Sequence, residues 1–279
     1  MRRRCLIFVV AFLCVGWRQS PPQRIVSLIP AVTEMIFALG AGARVVGVSN
    51  FDHFPPEVER VQKVGALLDP DLERILSLKP DLVVVYHSQA DFRTQLERSQ
   101  IPVYVYTHAG LADVTTTIRS IGARIGAAEA GAKLASGIES RIAAIHQATA
   151  NKPRPRTLIV FGRESYALRG IYASGGLGFI NDMVSAAGGE NVFSDVKREA
   201  VQTTTEHILA RRPEVIIELR ADPMTPEQEK KELAVWAQLS ALPAVATRRV
   251  HIIADPRTVI PGPRVAEGIE VIAARLRRP

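Results

Sequence analysis

The sequence predicts an α/β protein with two Rossmann-like lobes, mostly parallel sheets and one long rigid helix between the lobes. Three features support this prediction. Residues 72–84 and 205–217 share one pattern, 133 positions apart: E-x-I-L-x-x-(K/R)-P-(D/E), then three apolar residues. Apolar runs of strand length alternate with segments of helical periodicity. An alanine-rich helical segment, residues 129–149, separates the two halves of the chain.

The shared pattern describes a helix followed by a strand. Each copy has a carboxylate in the first helical turn, Glu73 or Glu206, and basic residues in the last turn. Pro80 or Pro213 then prevents the helix from continuing, and an apolar strand follows. Because one copy lies in each half, the two lobes are expected to share an architecture.

The N-terminus has the pattern of a secretory signal. Three arginines at positions 2–4 precede an apolar run at positions 5–16, and Ser20 lies near its exit. The run is shorter than the roughly 20 residues of a permanent membrane helix. Residues 1–20 are therefore predicted to be a signal peptide, and the protein to be periplasmic or otherwise exported. An uncleaved N-terminal anchor is the alternative.

Cysteine content and net charge limit the chemistry and the partners expected of the mature chain. Both cysteines, Cys5 and Cys14, fall in the predicted signal, so the mature chain would have no thiol. Lipidation at Cys14 is a minor alternative, because residues 11–13 do not resemble a bacterial lipoprotein cleavage site. Removing the signal lowers the formal net charge from +7 to +3. That balance, without a basic run interleaved with aromatics, predicts no nucleic-acid partner.

The mature chain divides into three predicted parts. The N-terminal lobe covers residues 21–127, the interlobe helix and linker residues 128–153, and the C-terminal lobe residues 154–279. Further strands are predicted at 24–29, 45–48, 103–106, 157–161 and 250–253, and further helices at 31–39, 91–100, 111–125, 179–187, 227–238 and 264–277. A continuous helix resists bending more than a loop hinge does, so lobe motion is expected to be small.

Enzyme and metal chemistry find little support in the residues. A G-x-S-x-G motif is absent, and the mature chain has no cysteine nucleophile, so the protein is predicted not to be an enzyme. An enzyme built on this scaffold remains the alternative from another class. His53, His87 and His108 with Asp255 would suit zinc, but no histidine pair has ligand spacing. The predicted site therefore contains no metal.

Two loop and helix features have competing interpretations. The glycine-rich residues 174–178 precede a helix and would suit a phosphate, but they match no phosphate-loop motif, so a tight turn is favoured. Glu73 and Glu206 would each stabilise a helix dipole in the simplest interpretation. As matched acids on two similar lobes, they also form a nearly two-fold pair suited to a dimeric partner with two basic pockets.

Four segments together resemble the cobalamin- and iron-siderophore-type periplasmic substrate-binding proteins of ABC importers. They are residues 24–34, 46–56, 71–82 and 187–193. The resemblance covers almost the whole mature chain. It implies capture of one small ligand between the lobes by a monomer, with no cofactor, and docking of Glu73 and Glu206 on arginines of a dimeric permease.

The cobalamin binders are the most similar subfamily, on residues 49–52, 55–56 and 188–193. The resemblance implies a ligand site made of cleft side chains and nearby polar groups: Phe51, Asp52, Leu67, Tyr86, Phe161, Arg163, Asp255 and Arg257. Leu67 and Ala200 stand where the best-known cobalamin binder has tryptophan, so two large apolar walls are missing. On the resemblance of the segments named above, a corrinoid is still the expected cargo.

Other metal chelates are the alternative cargoes. Arg163, Arg169 and Arg257 would meet an anionic ferric siderophore. Haem-binding relatives tend to carry a ligating tyrosine where this chain has Ala66, which counts against haem.

Overall fold

The computed structural model describes residues 20–277, which form two α/β lobes. The predicted signal peptide, apart from Ser20, lies outside this range, as do both cysteines. Among the described residues, no helix combines the length and the apolar character needed to span a bilayer.

The N-terminal lobe is a doubly wound parallel sheet. Its strands are β1 (Ile25–Ser27), β2 (Val45–Val48), β3 (Gln62–Lys63), β4 (Leu82–Tyr86) and β5 (Val103–Tyr106). They lie in the order β3-β2-β1-β4-β5, and every pairing is parallel. Its helices are α1 (Pro30–Ala38), α2 (Leu72–Ser77), α3 (Ala90–Arg98) and α4 (Leu111–Arg124). The strand order reverses between β1 and β4, which is where such sheets open a crevice for a ligand.

The C-terminal lobe follows helix α5 (Ala128–Thr149) and has a mixed sheet. Its strands are β6 (Arg156–Gly162), β7 (Ile171–Ser174), β8 (Glu190–Asn191), β9 (Ala200–Thr203), β10 (Val215–Arg220) and β11 (Val250–Ala254). The order is β11-β10-β6-β7-β9, with β8 paired to the start of β6. Its helices are α6 (Phe179–Ala186), α7 (Thr205–Arg211), α8 (Pro226–Ala234), α9 (Pro243–Ala246) and α10 (Val265–Arg277).

The predicted elements are present, and four short strands and the short helix α9 are additional. β3 and β8 have two residues each, and β7 and β9 pair antiparallel at one edge of the second sheet. Their sequences are short and partly polar, with few consecutive apolar residues, so periodicity gave no signal for them. The parallel pairs of the second sheet join β11 to β10, β10 to β6 and β8 to β6.

The repeated helix–strand unit is confirmed in detail. The side chain of Asp71 caps α2 and that of Thr204 caps α7, in each case by accepting a hydrogen bond from the third helical residue. Before the two prolines, Lys79 and Arg212 both adopt left-handed backbone, with φ of 47° and 48°. Such residues commonly end helices.

Long-range contacts of this unit are repeated as well. Arg24 donates to the carbonyl of Leu78 at the end of α2, and Arg156 donates to that of Arg211 at the end of α7. Asp81 accepts from the backbone N–H of Arg24, and Glu214 accepts from the N–H of Arg156. The two lobes therefore share side-chain bonding as well as strand order around this unit.

Helix α5 packs against both lobes. It approaches α4 at Gly122 and Gly131, where a Cβ added to Gly122 would lie 3.2 Å from the Cα of Gly131. On the other lobe, Arg141 of α5 donates to both carboxylate oxygens of Glu270 on α10, at 2.8 and 2.7 Å. The largest buried apolar cluster contains residues of both lobes and of α5, including Ile118, Ile138 and Ile269. Packed interiors resist deformation, which favours small lobe motions.

Candidate functional site

A cavity of about 530 Å³ lies between the lobes, at the carboxyl ends of the N-terminal strands. Residues that follow β1, β2 and β3 line it together with the last residues of β4 and β5, and the segment after β11 closes it from the C-terminal lobe. The lining residues are Leu28, Ile29, Pro30, Ala31, Ser49, Phe51, Ala66, Leu67, Leu68, Tyr86, Tyr106, His108, Val259, Ile260 and Pro261. A second cavity of about 470 Å³ adjoins it and shares Pro30, Phe51, Val259 and Ile260.

The loop after β3 brings Leu67 to the cavity. Gly65 adopts a φ of +98°, and a Cβ there would lie 2.5 Å from the carbonyl oxygen of Asp69, so only glycine fits this turn. Gln89, which precedes α3, holds the loop in place. Its amide group donates to the carbonyl of Leu67 and accepts from the backbone N–H of Tyr86. Gln89 thus joins two predicted ligand residues, and no sequence pattern indicated it.

The loop after β2 presents Phe51. Oδ2 of Asp52 accepts hydrogen bonds from the backbone N–H and the hydroxyl of Ser49, at 2.9 and 2.5 Å. This turn leaves the Phe51 ring 64% exposed at the cavity. Asp52 itself is buried, and its burial raises the pKa of the carboxyl although the bonds from Ser49 oppose the shift. Asp52 is thus buried behind the cavity lining, where its bonds to Ser49 hold the turn that presents Phe51.

The segment after β11 supplies the C-terminal side of the cavity. Asp255 caps the short helical turn at Pro256–Thr258 and pairs with Arg257 at 2.6 Å. The hydrogen bond from Arg257 lowers the pKa of Asp255. Arg257 also pairs with Glu267 at 3.0 Å and lines a separate groove beside α1. Asp255 and Arg257 therefore shape the loop that carries Val259 and Ile260, and neither side chain lines the cavity.

The structure corrects the prediction for Arg163. Its side chain is 0% exposed and pairs with Glu218 and Glu232 at 3.0 and 2.6 Å. Nε1 of Trp236 donates to the same Glu218 carboxylate, and Arg220 pairs with it from the cleft side of β10. A guanidinium bound in this way has no donor left for a ligand. Its partners lie 55 and 69 positions along the chain, so no local pattern revealed them.

Of the remaining predicted residues, His53 lines the second interlobe cavity, and the others lie outside both cavities. Phe161 is half-buried against the large apolar cluster, and Ala200 is exposed at the start of β9. Arg169 is exposed and pairs with Glu164 at 2.9 Å. His53 bonds Glu59 at 3.0 Å, and His87 is exposed, so the zinc alternative gains no support. Within residues 20–277, no three His, Cys, Asp or Glu side chains are grouped as metal ligands.

An aromatic row runs along one wall of the cavity, which its first three members line. The ring centroids of Tyr86, Tyr106, His108 and Phe179 follow one another at 5.8, 6.1 and 5.3 Å. Phe179 begins α6, so the row passes from one lobe to the other. Burial lowers the pKa of His108, although Asp113, Glu199 and Asp182 oppose the shift, so the imidazole is neutral near pH 7. In the sequence, His108 was a candidate only for the zinc alternative.

The lining of the main cavity carries no carboxylate, ammonium or guanidinium group from the described residues. It offers apolar and aromatic surface with a few neutral polar groups, as ligand sites for organic molecules commonly do. A reaction would require an activated nucleophile or an acid–base pair, and the lining provides neither. Fold and cavity together define a two-lobed binding protein that encloses a small ligand.

Comparisons with known proteins agree with this class. The periplasmic binding protein family matches residues 25–256, and this chain belongs to that family. It is 31% identical to an uncharacterised ABC transporter substrate-binding lipoprotein of Bacillus subtilis, across 91% of this chain and 80% of that protein. It is 32% identical to a vitamin B12-binding protein of Salmonella typhimurium, across 77% and 78% of the two chains.

A solved structure shows the same fold. The periplasmic haem-binding protein RhuT of Roseiflexus, in its apo form, superposes with a TM-score of 0.78 at 25% identity, covering 91% of this chain and 97% of that one. The chain is thus a substrate-binding protein of the ABC-importer class and not an enzyme. Membership implies export, a small ligand and a membrane permease as partner.

Proposed function

We propose that this protein captures a corrinoid of the cobalamin type between its lobes and delivers it to an ABC permease. The observation that carries this proposal is the uncharged lining of the main cavity. A corrinoid has a large apolar ring system and neutral carboxamide side chains. Haem carries propionates, and many ferric siderophores are anionic, so each of these would need cationic partners.

The arginines considered for an anionic cargo are already engaged. Arg163 is buried against two carboxylates, Arg257 pairs with Asp255 and Glu267, and Arg169 pairs with Glu164. Releasing any of them to bind an anion would break an existing pair. The similarity to a vitamin B12-binding protein supports the same choice.

Delivery is proposed to use Glu73 and Glu206. Each is the second residue of its helix and is exposed. Helices α2 and α7 both precede a parallel strand, so their N-termini lie at the carboxyl edges of the two sheets, the edges that border the cleft. A single copy presenting both acids on this rim would match the two-fold symmetry of a dimeric permease, which favours a monomer.

Titration of the purified protein tests the cargo. Calorimetry and absorbance would measure binding of cyanocobalamin, cobinamide, haem and a panel of ferric siderophores. We expect a corrinoid to bind at least about tenfold more tightly than haem or any siderophore, a difference of about 1.4 kcal/mol. Tighter saturable binding of haem or of a siderophore would replace the corrinoid by that cargo.

A further inference from the structure

The cleft between the lobes has two compartments that differ in polarity. The main cavity, of about 530 Å³, has no charged side chain from the described residues in its lining. The adjoining cavity, of about 470 Å³, is lined by the charged residues Glu34, Asp222 and Arg264. Sites for drug-sized ligands measure about 300–1,000 Å³. A corrinoid is larger than such a ligand, so it would extend from the main cavity into the second one.

Both sheets contribute to the second cavity at the carboxyl ends of their strands. Ala221 and Asp222 directly follow β10, and Phe54 lies in the loop after β2. Phe51 belongs to the lining of both cavities and therefore lies where they meet. A ligand whose ring system lies in the main cavity would reach the second cavity with a substituent that passes Phe51.

The second cavity offers polar groups of opposite charge. Asp222 is exposed, and its carboxylate forms no hydrogen bond or ion pair with any other described residue. The Arg264 side chain is 21% exposed and donates to Glu34 through Nε and Nη2. This pair uses two of the five N–H donors of the guanidinium, and the donors of Nη1 take no part in it.

A nucleotide complements this combination of groups. Its phosphodiester accepts hydrogen bonds from a guanidinium, and its sugar hydroxyls donate to a carboxylate. A substituent that is only a carboxylate, such as a haem propionate, would meet Asp222 as a like charge. The second cavity therefore favours a substituent with both an anionic acceptor and hydroxyl donors.

We propose that the second cavity binds the nucleotide that distinguishes a complete cobalamin from cobinamide, with Asp222 and Arg264 as its polar contacts. This inference rests on the proposed corrinoid function and narrows the cargo to corrinoids that carry a nucleotide. The main cavity then holds the ring system, and the second cavity determines which corrinoids bind tightly.

The test is calorimetric titration of cyanocobalamin and of dicyanocobinamide, which lacks the nucleotide, into the wild type and two variants. Ala221→Trp would fill the second cavity, and Asp222→Ala would remove the acceptor for the sugar hydroxyls. The wild type should bind cyanocobalamin about tenfold more tightly than dicyanocobinamide. Each variant should lose about tenfold in affinity for cyanocobalamin and bind dicyanocobinamide as the wild type does.

Ala210→Trp and Asp91→Ala are the matched controls, because both residues are exposed and neither lines a cavity between the lobes. Both controls should bind each corrinoid as the wild type does. Thermal unfolding without ligand detects any damage to the fold. Ala221 and Asp222 are exposed, so their variants should unfold at the wild-type temperature. If Ala221→Trp unfolds at a lower temperature, Asp222→Ala decides by the same comparison of the two ligands.

The remaining outcomes separate this inference from the proposed function. Variants that bind cyanocobalamin as the wild type does would overturn this inference and leave the proposed function in place. Variants that lose equal affinity for both corrinoids would also overturn it, because their effect would not depend on the nucleotide. If the wild type binds neither corrinoid, the proposed function falls, and this inference falls with it.

Discussion

Arg264 and Glu34 form an ion pair that joins the two lobes beside the ligand cleft. Nε and Nη2 of Arg264, just before α10, donate to the two carboxylate oxygens of Glu34 on α1 at 2.9 and 2.6 Å. The Glu34 side chain is 2% exposed, and the guanidinium lies 3.7 Å from the ring centroid of Phe54. Asp182 of the C-terminal lobe adds a second link by accepting from the backbone N–H of Leu111. With α5, these contacts favour limited lobe motion.

Removing the Arg264 guanidinium should destabilise the fold. Arg264→Met would leave the buried Glu34 carboxylate without its ionic partner, and such losses cost about 3 kcal/mol of unfolding free energy. Urea unfolding followed by circular dichroism measures the change. Replacing both residues, as Glu34→Leu with Arg264→Met, should recover part of the loss, because no buried charge remains. A double variant less stable than Arg264→Met would contradict this account.

The stability that Glu34 and Asp52 contribute should fall as pH rises above the usual range of carboxyl pKa values. Burial raises the pKa of Glu34, despite its bonds with Arg264, and also that of Asp52. The folded protein therefore keeps these protons at pH values where the unfolded chain has released them. The contribution of these two carboxyl groups to the unfolding free energy decreases as pH rises from their unfolded pKa values through their raised folded pKa values. The double variant Glu34→Gln with Asp52→Asn should lack this decrease. Urea unfolding at pH values from about 4 to 7 measures the unfolding free energy of both proteins.

The docking acids should affect transport without affecting binding. Glu73→Ala with Glu206→Ala should leave ligand affinity unchanged and abolish stimulation of the permease, because both side chains are exposed and lie outside the cavity. Uptake into proteoliposomes containing the cognate permease measures this effect. Asp91→Asn with Glu227→Gln is the control, because these are exposed first-turn acids of α3 and α8, one in each lobe. Loss of ligand affinity in the first double variant would count against separate docking and binding surfaces.

Arg163 should matter for folding and not for ligand affinity. Arg163→Met would leave Glu218 and Glu232 buried beside each other, a change expected to cost about 3–5 kcal/mol. Arg169→Met is the matched control, because its pair with Glu164 is exposed and should contribute less than about 1 kcal/mol. Urea unfolding and ligand titration of both variants provide the comparison. A tenfold or greater loss of affinity in folded Arg163→Met would restore a ligand role for this residue.

Phe51 should contribute to binding and little to stability. Its ring is 64% exposed without ligand, and covering such a ring is worth about 1.5–3 kcal/mol, so Phe51→Ala should weaken binding about 10–100-fold. The unfolding temperature should barely change. Tyr172→Ala is the control, because Tyr172 is 44% exposed on β7 and does not line the cavities between the lobes. Equal affinities for all three proteins would exclude Phe51 from the binding surface.

Local sequence patterns were sufficient to predict the elements and their repetition. Apolar periodicity, the two prolines and the capping residues act within a few positions, so residues 72–84 and 205–217 revealed the helix–strand unit in both lobes. Phe51, Leu67 and Tyr86 were assigned to the site by the resemblance to the cobalamin binders, and all three line the main cavity. Strands β7 and β9 were not predicted, because their pairing depends on partners distant in the sequence.

Which polar side chains are available to a ligand depends on how the chain packs in three dimensions. Arg163, Arg257 and Asp52 have the same chemistry in the sequence as any ligand-binding residue, yet the folded chain pairs both arginines with carboxylates and buries Asp52. Packing also leaves the Tyr106 hydroxyl and Nδ1 of His108 without a hydrogen-bond partner among the described residues. Residue type gives the bonds that a side chain can form, whereas its burial and neighbours determine which of them remain for a ligand.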